Sequence, residues 1–356
     1  MDRNEQRGRL RARLGDLDVQ AFLVTRLPNV RFLTGFTGSN GQLLLTPDGG
    51  VFFTDGRYIE QSRHEVPDLP RTVYSGELAP AFAKAATELG VRRVAFESAG
   101  VTYKAFTGLS GSGDFELVPT ADEVERLRWV KAESELLSLN AAQGIADDAF
   151  DLITGKLAEG MREREVAFEL DTAMRKAGAE CVAFDTIVAF GENAAEPHHS
   201  PTDRQLQRGD AVKLDFGAVV DGYHSDMTRT VAFGELDPRL LEIYDVVRRA
   251  QQAGVDAVRA GAVGGEVDRA VRDLIEDAGY GDHYTHSLGH GVGLEVHEGP
   301  MLRTASEDVL PEGSVVTVEP GIYVGGLGGV RIEDMVEVTA EGCRVIPRTT
   351  KELVVL

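Results

Sequence analysis

The stretch Lys213–Thr230, KLDFGAVVDGYHSDMTRT, decides how this chain is read. Asp221-Gly222 is a hairpin turn signal, flanked by strand-type runs around Val212 and Val231. A hairpin centred between those two residues sets Asp215 opposite Thr228, one diagonal step from Asp226. Side chains two apart on a strand share a face, so both carboxylates point to the same side. Like charges at that spacing repel unless a cation lies between them. Arg229 is an odd step from both and faces away. A metal ion is the natural partner. A pair of acids on a solvated face is the plain alternative, and the rest of the chain has to decide.

At 356 residues the chain can form two domains, each with its own core. Apolar residues at 42% and charged residues at 27% are ordinary for a soluble globular protein. The opening MDRNEQRGRLRARLG is too charged for a secretory apolar region, and no apolar run nears the ~18 residues of a membrane span. The two cysteines, Cys181 and Cys343, lie far apart, which excludes a cysteine-rich zinc site and implies a reducing, cytoplasmic setting. The net charge of −21, from 37 basic and 58 acidic residues, argues against nucleic acid or an anionic membrane as a partner.

Residues 1–122 read as an α/β domain. Helices are expected at Arg3–Leu14 and Leu78–Leu89, the second closed by Gly90. Strands are expected at Ala21–Thr25, Arg93–Phe96 and Phe115–Val118. A hairpin, Gln42–Thr46 with Val51–Thr54, turns at Pro47-Asp48-Gly49-Gly50. His64 is the only histidine there, so the domain is read as non-catalytic. Ala121–Glu135 is a charged connector that puts the boundary near residue 122 and the second domain at 123–356. Within that domain the chain repeats itself. Gly160 and Gly261, Glu165-Val166 and Glu266-Val267, and Gly178 and Gly279 keep a constant offset of 101. Each unit follows a long helix, Glu135–Ala158 or Leu240–Arg259, and precedes strand-rich sequence. Such duplication predicts two half-domains with facing sheets and a site between them.

Seven of the eight histidines fall between His198 and His297. His286, His290 and His297 lie in HSLGHGVGLEVHEGP, too rich in glycine for a regular helix. Glu319, in VVTVEPG, and Glu333, in VRIEDMVEV, are single acids at the ends of apolar runs, where burial requires a partner. Asp215, Asp226, His290, Glu319 and Glu333 together offer four carboxylates and one imidazole. That set suits two divalent ions sharing bridging carboxylates, Mn²⁺ or Co²⁺ foremost, and Zn²⁺ also fits the donors.

With DFG, SDMTRT, GHGVGLEVHE, EPG and RIED in these positions, the chain resembles the aminopeptidase P and prolidase family of dinuclear Xaa-Pro metallopeptidases. Asn29–Gln42, NVRFLTGFTGSNGQ, is similar to that family's N-terminal region, so the likeness covers nearly the whole chain. The resemblance implies an α+β architecture: a pita-bread catalytic domain behind a creatinase-like α/β N-terminal domain, assembled as a homodimer. It implies that Asp215 binds one metal, that Asp226 and Glu333 bridge both, and that His290 and Glu319 bind the second. His198 and His297 would hydrogen-bond the peptide, Glu319 would carry the proton between water and leaving nitrogen, and Arg331 would orient Glu333 at the substrate. His286 lines the site or serves the structure.

FGENAAEPHH departs from the family, which commonly has a serine near Phe190 and an apolar residue near Glu196; this bears on substrate preference. Methionine aminopeptidases share the five ligands without so large an N-terminal domain. Creatinase-type hydrolases and non-catalytic binding proteins of this fold lack the full ligand set present here. Many prolidases carry a carboxylate-binding arginine directly after H-E-x-P, where this chain has Met301. Met301 leaves apolar room for a chain continuing past proline, so the expected activity is an aminopeptidase acting on proline-containing peptides. Arg303, on the same side of an extended strand, keeps the Xaa-Pro dipeptidase as the alternative.

Overall fold

The computed structural model describes residues 3–356. Its chain divides into two compact units, Met1–Arg128 and Trp129–Leu356. In the first, apolar runs become strands β1 (Ala21–Val24), β2 (Gly41–Thr46), β3 (Gly49–Asp55), β4 (Arg71–Tyr74), β5 (Arg93–Glu97) and β6 (Glu116–Thr120). They form one mixed sheet in the order β4-β3-β2-β1-β5-β6. Helices α1 (Arg3–Asp16), α2 (Leu27–Thr34), α3 (Ile59–Glu65), α4 (Ala79–Glu88) and α5 (Tyr103–Ser110) accompany it. Leu44, Phe53, Phe82 and Phe96 anchor its core. A sixth helix, α6 (Glu123–Arg128), lies beyond residue 122 yet belongs to this unit. Val124 is buried there, and Arg128 donates to Asn29 Oδ1 at 2.7 Å.

The second unit is built twice. Helices α7 (Glu133–Thr154) and α8 (Glu163–Lys176) precede strands β7 (Ile187–Phe190), β8 (Asp210–Phe216), β9 (Val219–Val220), β10 (Tyr223–His224) and β11 (Met227–Phe233). Helices α9 (Pro238–Ala257) and α10 (Gly264–Asp277) precede β12 (Gly289–Gly291), β13 (Glu298–Leu302), β14 (Val315–Val318), β15 (Gly321–Val324), β16 (Gly328–Arg331), β17 (Asp334–Val338) and β18 (Cys343–Val345). The first half has a sheet β11-β8-β7, and the second a sheet β13-β12-β14-β17-β18. Residues at the 101-residue offset make equivalent hydrogen bonds, to partners 104 residues apart. Gly160 N donates to Leu206 O as Gly261 N donates to Leu310 O, each at 2.9 Å, and Arg162 bridges Gln205 as Val263 bridges Val309. Each half has its own core, around Phe150, Leu170, Val188 and Leu214 in one and Val247, Val271, Val316 and Val336 in the other.

The halves are sutured along β11. Glu333 N donates to Thr228 O at 3.1 Å, and Thr230 Oγ1 donates to Arg331 O at 3.0 Å. Arg229 points to the opposite face from the aspartates, as its odd spacing predicts, and forms a buried 2.6 Å ion pair with Asp334. Among the described residues no helix is long and apolar enough to cross a membrane.

Candidate metal centre

The hairpin that opened the sequence reading has the expected register. Thr228 pairs with Asp215, and the same frame runs on through His224 with Val219 and Tyr223 with Val220. The turn is made by Asp221 at φ +48° and Gly222 at φ +74°, the two left-handed residues that a tight hairpin with native twist requires. Asp215 and Asp226 thereby reach one side of the first half, both buried. His290 comes from β12, squeezed between β13 and β14. A Cβ on Gly289 would lie 2.0 Å from Thr317 O, and one on Gly291 would lie 2.1 Å from Gly299 O. Only glycine fits on either side of the histidine. Val318 pairs with Asp334 in the β14–β17 ladder, so Glu319 and Glu333 flank the same end of it. All five candidate ligands thus converge, two from the first half and three from the second.

Asp226, His290 and Glu333 each offer a ligand atom, all within 4.8 Å of one another. His290 Nε2 lies 3.3 Å from Glu319 Oε1 and 3.8 Å from Asp226 Oδ2. Thr228 Oγ1 donates to Glu333 Oε2 at 2.7 Å, and Thr317 Oγ1 donates to Glu319 Oε1 at 3.3 Å. Burial, then the charges of Glu333, Asp215 and Glu319, push the Asp226 carboxyl well above its usual range. Burial, with Glu319 and Asp215, does the same to Glu333. Glu319 goes the other way: burial raises it, but the hydrogen bond and charge of His290 outweigh that and bring it to about 2. Asp215 is raised by burial despite its ion pair with Arg331, and its Oδ1 is buried with no hydrogen-bond partner.

Arg331 does not take Glu333 directly. Its Nη2 pairs with Asp215, Nη1 donates to Tyr323 OH and Pro197 O, and Nε donates to Thr228 Oγ1 at 3.0 Å. Buried at 3% exposure, it is a positioning group that reaches Glu333 only through Thr228.

The candidate ligands line a cavity of about 430 Å³ that also receives His198, His286, His297 and Met301. The His198 and His297 imidazoles make no hydrogen bond among the described residues, and both are exposed to the cavity. The His297 ring stands edge-on to His290 at 4.4 Å between centroids. Burial, then the charge of His290, lowers the His297 pKa; burial likewise lowers that of His286. Neutral imidazoles offer one donor and one acceptor each, which suits a peptide group. His286 Nε2 lies 2.9 Å from Tyr323 OH, which links it to Arg331 and Asp215.

Arg303 is not on the extended strand expected for it. β13 ends at Leu302, and Ser306 N closes a turn on Arg303 O at 2.8 Å. Arg303 instead lines a neighbouring cavity of about 450 Å³ that shares His286 and Ser287 with the first. Its guanidinium makes no hydrogen bond or ion pair among the described residues. The contacts of Thr228 with Glu333 and of Tyr323 with His286 carried no sequence signal, because those partners lie on other elements. His199, noted in the sequence beside His198 but given no role, turns inward and is buried.

Four carboxylates, three of them buried, with one guanidinium among them, an orphaned carboxylate oxygen and a nearby imidazole are a donor set that fits divalent cations. Cations there would offset the burial and the like-charge repulsion that raise the Asp226 and Glu333 carboxyls. A duplicated fold holding such a set beside free histidines defines a metal-dependent hydrolase.

The chain belongs to Metallopeptidase family M24, which residues 138–340 match; residues 6–130 match the Creatinase/Prolidase N-terminal domain. It is similar to the Xaa-Pro dipeptidase of Pyrococcus horikoshii, at 36% identity over 94% of this chain and 95% of that protein. Among solved structures, it is similar to the Xaa-Pro dipeptidase from Bacillus anthracis, at 42% identity and a TM-score of 0.97, covering 100% of both chains. It is also similar to the X-Pro aminopeptidase from Thermotoga maritima, at 36% identity and a TM-score of 0.88 over 95% of this chain and 98% of the other. The second unit is therefore the pita-bread metallopeptidase fold, and the first is the creatinase-like α/β domain.

Proposed function

We propose that this protein is an Xaa-Pro dipeptidase, cleaving the bond before proline in two-residue substrates. The observation that carries the reading is the unpaired Arg303 guanidinium beside the catalytic cavity. A dipeptide presents a free proline carboxylate, and a guanidinium binds it by paired charge-assisted hydrogen bonds. Full-length likeness to Xaa-Pro dipeptidases supports the same conclusion. The aminopeptidase expected from Met301 is the second reading, favoured by that apolar side chain in the cavity wall and by the Thermotoga maritima likeness.

In this reading Asp215, Asp226, His290, Glu319 and Glu333 hold two divalent ions, Mn²⁺ or Co²⁺ foremost. When bound, such ions supply Lewis acidity toward the scissile carbonyl and lower the pKa of water. Glu319 accepts a proton and returns it to the leaving proline nitrogen. His198 and His297 hydrogen-bond the peptide where charge develops. The tertiary amide before proline has no N–H, so these side chains, rather than strand pairing, recognise it. The first unit, whose single histidine is His64, serves a non-catalytic role.

The test compares kcat/KM for an X-Pro dipeptide with that for the same peptide extended by one residue. The dipeptide should win at least ~10-fold, and Arg303→Ala should remove most of that advantage by raising KM, a loss of about 1.5–3 kcal/mol for a charged hydrogen bond. Equal or better turnover of the longer peptide would reinstate the aminopeptidase.

A further inference from the structure

The backbone from Phe190 to Thr202 carries His198 to the catalytic cavity, and one buried carboxylate organises its inner side. Glu163, the first residue of α8, accepts hydrogen bonds from Phe190 N, Asn193 Nδ2 and Thr202 N, each at 2.9 Å, and from Thr202 Oγ1. Burial pushes its carboxyl up, but hydrogen bonds from Thr202, His199, Phe190 and Asn193 outweigh burial and hold it below the usual range. His199 Nε2 lies 2.9 Å from Glu163 Oε2, and His199 Nδ1 lies 2.7 Å from Glu196 Oε2. Each ring nitrogen thus faces a carboxylate oxygen, and the imidazole is gripped at both ends. From the other side, Lys213 Nζ donates to the carbonyls of Ala194, Glu196 and Pro197, and Arg331 Nη1 donates to Pro197 O at 3.1 Å. The His198 side chain stands outside this clasp, exposed and without a hydrogen bond among the described residues.

We propose that His199 is a positioning residue: held between Glu163 and Glu196, it fixes the segment so that His198 meets the substrate. This rests on the reading of His198 as a substrate contact. It also gives a use to Glu196, near which the family resembled commonly has an apolar residue: the carboxylate is the second jaw of the grip. A displacement of about 1 Å at such a residue costs on the order of 100-fold in rate.

The experiment is a double-mutant cycle on the full-length, metal-loaded protein, with His198→Ala, His199→Leu and the pair assayed on one X-Pro dipeptide. His199→Leu should lower kcat/KM by about 10–100-fold, and by less than about 2-fold once His198 is already alanine. An equal loss in both backgrounds, or no loss in the parent, overturns the inference. Full turnover by His198→Ala would instead overturn the reading of His198, and this inference with it. Collapse of His198→Ala with an unaffected His199→Leu overturns the positioning role alone. Should His199→Leu fail to fold, the surface change Glu196→Ala removes only the Nδ1 partner. It should lose several-fold with the same dependence on His198, while Glu196→Gln keeps an acceptor oxygen and restores the parent rate. A parent-like Glu196→Ala would count against the proposal.

Discussion

At the scale of single residues, Thr228 shows how a site is held by groups that never react. It stands across the ladder from Asp215, donates to Glu333 and accepts from Arg331, which in turn holds Asp215. Thr228→Val keeps the shape and removes the hydroxyl. Metal affinity measured by calorimetry should fall about 10–100-fold, the usual cost of losing a partner behind a ligand, with the melting temperature little changed. Unchanged affinity would leave Thr228 a packing residue. The sequence could place Thr228 opposite Asp215, because hairpin register is local. It could not show Thr228 touching Glu333, over a hundred positions away, nor Arg331 turning to Asp215, because those contacts depend on how two sheets meet.

At the scale of elements, β12 is held by close packing and the N-terminus of α8 by hydrogen bonds. Gly291→Ala drives a Cβ into the Gly299 carbonyl, so β12 and β13 have to separate. That should cost about 1–3 kcal/mol in denaturant unfolding and displace His290, lowering kcat more than KM. A variant as stable and active as the parent would show that the strands have slack. Glu163 makes a prediction about pH. Its folded pKa lies below its unfolded value, so its contribution is present above the unfolded carboxyl range, about 4.3, and is lost as pH falls through the folded value. Stability measured from pH 7 downward should therefore decline on the acid side less steeply for Glu163→Gln than for the parent. Parallel curves would remove Glu163 from the acid limb. The duplicated helices were legible because glycine and the Glu-Val pair recur at fixed spacing. The end of β13 was not: a turn closed by Ser306 N on Arg303 O leaves no mark on a short apolar run, and it moved Arg303 to the adjoining cavity.

At the scale of the whole molecule, the candidate ligands come from both halves of the second unit, so bound cations join what separate cores do not. Chelation should lower the melting temperature, and free Mn²⁺ at 100 times its Kd should restore about 2.7 kcal/mol, measured by calorimetry. A melting temperature indifferent to metal would mean that the halves are locked without it. The two-domain plan and the ligand set were legible because buried acids in apolar runs need an explanation wherever they occur. The proposed preference for dipeptide over longer peptide was not, because it turns on where the Arg303 guanidinium comes to rest. There is a last consequence in the order of the ligands along the chain. Synthesis proceeds from the N-terminus at about 5–20 residues per second, and domains fold as units once complete. A ribosome that has released residues up to Val318 has made both aspartates and His290, but neither glutamate. On the proposed ligand set no cutting centre is complete until Glu333 has emerged, and a copy truncated before Glu333 stays inert.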